Sequence, residues 1–255
     1  MKKEGFTKTK RSVTRQWFKG WSNEYDTTLG SISFHRGLLE LVARLSGVKD
    51  NDTVLDIGCG TGLLSLKLLQ AADCSIVGVD SSKEMLSVLK TKIDRLKLGR
   101  NIVYKLMDAS SLEFKDNSFD IVASTVTLHH LQDKLKLLKK IYKLIKPGGR
   151  LIIGEIDMDT TGKHTDINRL KRILDVLKNE WISALKEAGV EAFVRMFLNG
   201  KKHILNEGEY CISFRQWARL CRKAGFRVIT IKAVPHHQDF KVLAAKKPLN
   251  LFSCK

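Results

Sequence analysis

Residues 53–62 read Thr-Val-Leu-Asp-Ile-Gly-Cys-Gly-Thr-Gly, and this stretch constrains the chain more than any other. Val54-Leu55-Asp56-Ile57 is the mostly apolar run of a buried strand, and it leads directly into Gly58, Gly60 and Gly62. A helical stretch, Leu63–Ala71, begins at once. Glycines at alternate positions permit tight backbone torsions and remove side chains that would hold a ligand off the main chain. The turn is therefore a place where backbone meets a bound molecule.

Beyond the turn, strand and helix alternate. Ser75–Val79 reads as a short strand ending at Asp80, and Ser82–Leu96 as an amphipathic helix with Met85, Leu86, Leu89, Ile93 and Leu96 on its apolar side. Ser81 and Glu84 stand at capping-box spacing. Ile102–Met107 reads as a strand ending at Asp108, and Phe119–Ser124 as another. A helix over Leu131–Ile145, halted by Lys146-Pro147-Gly148-Gly149, leads to a fifth strand, Arg150–Ile156. This rhythm predicts parallel crossovers and an α/β doubly wound sheet, with ligands outside the carboxyl ends of the strands. The polar residues closing those strands are Asp56, Asp80, Asp108, Ser124 with Thr125, and Glu155. Glu155 and Asp157 either touch the substrate or, as the favoured reading, end their strand in solvent.

Before the turn, Leu38, Leu39, Leu41, Val42 and Leu45 recur at helical spacing, and Gly47 stops that helix. After residue 156 the alternation lapses. Two helices are expected at Asp166–Lys178 and Trp181–Phe197, and a third at Ser213–Ala224. An antiparallel hairpin of Phe226–Ile231 and Asp239–Ala245 completes the pattern.

The 255 residues carry a net charge of +18, unevenly spread. Residues 1–20 hold 7 basic and 1 acidic residue, and residues 163–225 hold 13 and 7. Residues 226–255 hold 6 and 1, whereas residues 21–162, with the glycine turn, nearly balance at 19 and 18. The excess lies on the flanks, which suits RNA, anionic lipid or an acidic partner, or simply a solvated lysine-rich surface. Five cysteines (59, 74, 211, 221 and 254) form no C-x-x-C pair, so neither a disulfide framework nor a metal site is expected, and a reducing cytoplasm is the natural compartment. No run approaches the ~20 apolar residues of a membrane-spanning helix.

A phosphate-cradling turn ends in Gly-Lys-Ser/Thr, but Leu63-Leu64 come after Gly62. A dinucleotide turn is spaced G-x-G-x-x-G, and Asp56 at the mouth of this one would repel pyrophosphate while suiting a cationic group. The stretch resembles motif I of the class I S-adenosylmethionine-dependent methyltransferases, and the resemblance runs in order from Asp52 to Glu155. Val77-Gly78-Val79-Asp80, Met107-Asp108-Ala109, Phe119 through His129-His130-Leu131, and Lys146 through Ile153 resemble the later motifs. In general character the chain is similar to the ubiquinone/menaquinone-biosynthesis-type (type 11) group.

That resemblance implies a Rossmann-like doubly wound seven-stranded sheet, mostly parallel, with one antiparallel strand near the C-terminus. It implies S-adenosyl-L-methionine as cofactor, with Asp56, Gly58, Cys59, Gly60, Gly62 and Thr125 at its methionine part, Asp80 and Ser81 at the ribose, and Met85, Asp108 and Ala109 at the adenine. His129 and His130 are the candidates to orient or deprotonate an acceptor, or else structural residues of the turn. Residues 1–45 form a basic, aromatic cap segment, and residues 46–255 the methyltransferase domain, with a helical insertion at 157–212. Trp17, Phe18, Trp21, Trp181, Phe193 and Phe197 could line a pocket for a small or lipophilic acceptor. The flank charge points instead to tRNA or other RNA. A non-catalytic S-adenosylmethionine-binding scaffold is the third reading.

Overall fold

The computed structural model describes residues 25–163, 165–206 and 210–249. The expectations for Trp17, Phe18, Trp21 and Cys254 lie outside the described residues. Helices α1 (Tyr25–Leu29) and α2 (Ser33–Ser46) precede β1 (Thr53–Ile57), α3 (Leu63–Ala71), β2 (Ser75–Asp80), α4 (Lys83–Leu96) and β3 (Ile102–Leu106). Then come β4 (Phe119–Thr125), α5 (Lys134–Leu144), β5 (Ile145–Ile156), α6 (Ile167–Asn199), α7 (Phe214–Lys223), β6 (Arg227–Val234) and β7 (His237–Lys246).

The seven strands form one sheet in the order β3-β2-β1-β4-β5-β7-β6. The pairs from β3 to β5 are parallel, and β7 runs antiparallel to both β5 and β6. The strand order reverses direction between β1 and β4, where a doubly wound sheet opens a crevice at its carboxyl edge. Successive strand residues go to opposite faces. Val54, Ile76, Ile121 and Ile152 join the layer under α2, α3, α4 and α6, while Leu55, Ile57, Val122 and Ile153 join that under α5 and α7.

Local chemistry sets the boundaries. Gly47 ends α2 in the left-handed conformation, φ 57°. Ser82, not Ser81, caps α4 by accepting from the Met85 N–H, because Asp80 draws the Ser82 amide toward its own carboxylate. Strand β5 begins at Ile145 and absorbs Lys146-Pro147-Gly148-Gly149 as an irregularity opposite Phe119–Ile121, so that segment interrupts a strand rather than only stopping a helix. The two helices expected after β5 are continuous across Asn179-Glu180. The run breaks instead at Gly189 (φ 82°, ψ −175°), a conformation open to glycine.

Candidate cofactor and acceptor site

Gly58, Gly60 and Gly62 all have positive φ, at 71°, 51° and 85°. The amides of Gly58 and Cys59 both donate to the carbonyl of Val79, at 2.8 and 3.0 Å, which fastens the turn to the end of β2. A Cβ on Gly58 would collide with Thr127, and one on Gly62 would come within 2.5 Å of Leu89. At Gly60 it would meet nothing within 4 Å, so this residue fronts open space. Cys59 is buried with its sulfur against Gly78, and Met85 is buried at the start of α4.

Asp80 spans that space. Its Oδ2 accepts from the Gly60 N–H at 2.9 Å and its Oδ1 from the Ser82 N–H at 2.8 Å. Burial raises its carboxyl above the ordinary range, against the N–H groups of Ser82, Gly60 and Ser81 and the nearby His130. Asp56 lies deeper than a loop mouth, at 1% exposure. Its Oδ2 accepts from the Ser65 hydroxyl at 2.7 Å, while its Oδ1 is buried without a partner. Burial pushes this carboxyl up to about 7. Asp108 caps the short turn Ala109–Ser111, accepting from both the N–H and the hydroxyl of Ser110.

Helix α1 is clasped to the turn from the other side. The Thr61 hydroxyl donates to Asp26 at 2.6 Å, and Lys92 bonds both Asp26 and, at 2.8 Å, the Thr61 carbonyl. Burial, helped by the charges of the nearby Asp80 and Asp26, raises the Tyr25 hydroxyl above the ordinary range. Beside it, edge-on, lies the buried His35, which burial pushes down to about 4.

Past β4 a turn spans Leu128–His130. Glu155, expected in solvent, is buried at 1% exposure and organises this turn. Its Oε1 accepts from the N–H groups of Thr127 (2.9 Å) and Leu128 (2.7 Å), and its Oε2 lies 2.7 Å from His129 Nδ1. Burial opposes the ionised form, but His129 and the two N–H groups prevail and hold the carboxyl below its ordinary range. Strand β5 is central, and its carboxyl end faces the neighbouring turn rather than water. Asp157 is also not a free strand end, since it accepts from the Phe214 N–H at the start of α7 and pairs with Lys241. His129 and His130 stand with ring centroids 4.2 Å apart, the first turned to Glu155 and the second acting on Asp80. Thr125 ends β4, and its carbonyl accepts from the Thr127 hydroxyl at 2.9 Å.

The sheet order, the glycine turn and the carboxylates at the strand ends form one constellation. Residues 55–153 match the protein family described as "Methyltransferase domain". That stretch carries a methyltransferase domain, and its motifs are similar to those of the class I S-adenosylmethionine-dependent methyltransferases of the type 11 group. The chain is 35% identical over 150 residues to a ubiquinone/menaquinone biosynthesis C-methyltransferase of Pseudoalteromonas translucida, covering 57% of the chain and 60% of that relative. It is 27% identical over 171 residues to the 27-O-demethylrifamycin SV methyltransferase of Amycolatopsis mediterranei, covering 63% of each. The chain thus matches less than two thirds of the length of these curated relatives. In fold it is similar to the solved (4+2)-cyclase SpnF, with TM-score 0.68, 15% identity, and 93% and 96% of the two chains covered.

Sequence reasoning misses three residues in or near this candidate site. Asp26 carries no motif, and only the folded chain reveals its clasp. Thr127 has no signal of its own between Ser124 and His129. Glu180 does have one, because it interrupts an apolar helical stripe. Among the described residues no group of three His, Cys, Asp or Glu side chains is arranged to hold a metal ion, and no helix is long and apolar enough to cross a membrane.

Proposed function

We propose that the chain transfers the methyl group of S-adenosylmethionine to a small or lipophilic acceptor by in-line displacement. The observation that carries this reading is Asp56 Oδ1, a buried carboxylate oxygen beneath the glycine turn with no partner. Such an atom suits the ammonium group of a cofactor that has no phosphate to be repelled. The open space before Gly60, bridged by Asp80, fits the same molecule. On this reading Gly58, Cys59, Gly60, Gly62 and Thr125 border the methionine part, Asp80 and Ser81 the ribose diol, and Met85, Asp108 and Ala109 the adenine.

When bound, S-adenosylmethionine supplies a methyl group already activated on a sulfonium, so the protein's contribution is mainly alignment. Glu155 is ionised, so it accepts from His129 and places that ring's proton on Nδ1. Nε2 is then the basic atom of the neutral ring, suited to orient an acceptor or take its proton. His130 serves the cofactor side through its charge near Asp80. Helix α1, clasped by Asp26, and α6 are the cover that keeps water from the transfer.

The relatives named for rifamycin and quinone biosynthesis support a small or lipophilic acceptor. Calorimetry with S-adenosylmethionine and S-adenosylhomocysteine tests the cofactor reading, and absence of binding by both refutes it. A titration of bulk tRNA at rising salt tests the acceptor class. A nucleic-acid site would show affinity falling steeply with the logarithm of salt concentration. The expected result is no specific retention.

A further inference from the structure

The covering helix α6 packs its inner face on the core through Ile173, Leu177 and Ala184, all 0–1% exposed. Spacings of four, three and four residues make Glu180 the remaining member of that stripe. At 9% exposure it is buried among apolar neighbours, and its Oε1 has no hydrogen-bond partner. A carboxylate taken from water without a partner is among the costliest placements in a protein interior.

Two charged groups reach it, His129 and Asp239, and both are engaged elsewhere. His129 Nδ1 faces Glu155 at 2.7 Å, and Asp239 accepts from the Asn179 amide at 2.9 Å. Glu180 therefore lies within electrostatic reach of the His129 turn without being bonded to it. Burial pushes its carboxyl up to about 8, outweighing the opposing pull of His129, while Asp239 adds to the rise. The lysines around the site are committed: Lys92 to Asp26 and Thr61, Lys134 to the Leu131 carbonyl, Lys241 to Asp157.

We propose that Glu180 is the acceptor-binding carboxylate, and that the acceptor is neutral or cationic and presents an N–H or O–H group to it. The proposal rests on the methyltransferase reading and narrows its substrate class. Burial holds Glu180 protonated at neutral pH, and a cationic donor bound there favours its ionised form, whereas an acceptor bearing a phosphate or carboxylate adds like charge beside Asp239 and opposes that ionisation.

The test uses the full chain loaded with S-adenosylhomocysteine, as wild type and as Glu180→Leu. Four probes share a benzene ring: benzylamine, benzyl alcohol, benzoate and toluene. Saturation-transfer NMR should show the amine and alcohol bound to the wild type, with affinity lower by about tenfold in Glu180→Leu. Benzoate should bind neither. Equal binding of benzoate and benzylamine, donor probes indifferent to the substitution, or no probe bound each overturns the proposal. A second measurement is independent of any probe. Glu180→Leu should melt higher than the wild type while retaining its affinity for S-adenosylhomocysteine, whereas a lower melting temperature would reveal a structural partner and overturn the proposal. If the wild type fails to bind S-adenosylhomocysteine, the methyltransferase reading itself falls, and this proposal with it.

Discussion

His129 Nδ1 lies 2.7 Å from Glu155 Oε2, while the other oxygen of Glu155 receives two backbone N–H groups of the same turn. One buried carboxylate on β5 thus fixes both the turn after β4 and the orientation of its histidine. In the proposed mechanism Glu155 is a positioning residue that acts through His129.

Glu155→Ala should therefore cost about 3–5 kcal/mol of stability, the range for leaving buried partners uncompensated. Urea unfolding would measure this loss, and NMR should show the His129 Nδ1 proton resonance lost from its hydrogen-bonded position. Glu155→Gln, which keeps one acceptor oxygen, should recover part of the stability. The carboxyl lies below its ordinary value of 4.5 in the folded chain. Its stabilisation is complete above the unfolded value and is lost as pH falls through the lower folded value, so the wild type and Glu155→Gln should converge in stability on acidification.

Asp56 behaves in the opposite sense. Its folded value, about 7, lies above its ordinary 3.8, so the folded chain retains a proton that the unfolded chain releases in between. Ionising it costs stability progressively as pH rises through that window. Asp56→Asn keeps an acceptor for Ser65 and should show a melting temperature less sensitive to pH between about 4 and about 7. The wild type should release a proton on binding S-adenosylmethionine near pH 6.5, because the incoming ammonium favours the ionised carboxylate. Calorimetry in two buffers of different ionisation enthalpy reads this directly, and no difference between the buffers would refute the pairing.

Asp80→Ala should weaken S-adenosylhomocysteine binding by about 100-fold, through loss of two charge-assisted bonds and release of the Gly60 and Ser82 amides. His130→Ala, which removes a charge acting on Asp80, should weaken it by about threefold or less. Isothermal titration of both variants would decide, and the reverse order would overturn the assignment.

Gly60 and Gly62 separate function from stability. Ala at Gly60 enters open space and should cost about 1 kcal/mol, from its positive φ alone, yet should sharply reduce cofactor affinity. Ala at Gly62 adds to its φ of 85° a 2.5 Å approach to Leu89, and should cost more stability, about 2–4 kcal/mol. Thermal melts paired with cofactor titrations of the two variants test this.

The strands and most helices are legible in the sequence because their signals are local. Val54–Ile57 leading into glycines, and the apolar stripe of α4, each need only a window of a dozen residues. Ser82 displaces Ser81 as cap for a reason the sequence spacing hides, namely the turn of Asp80 back on the Ser82 amide. Glu155 and Asp157 defeat a local reading because a strand end looks exposed until the strand's place in the sheet is known. Here the β4 turn and the start of α7 close over them. The Asp26 clasp joins residues 35 and 66 positions apart, beyond the reach of any local pattern. The histidine pair is visible in the sequence, but the division of its members between Glu155 and Asp80 is not.

Strand β7 lies between β5 and β6 although it comes after both in the chain. Until it is synthesised, β5 is the bare edge of the sheet, with Leu151, Ile152, Ile153 and Ile156 all destined for the interior. Such an edge is a template for pairing with other chains. The ribosome needs roughly 5 to 20 seconds to travel from the end of β5 to the end of β7. This chain is therefore most prone to aggregate while it is still being made, and chaperone demand during translation, more than the stability of the finished fold, should govern its yield in a cell.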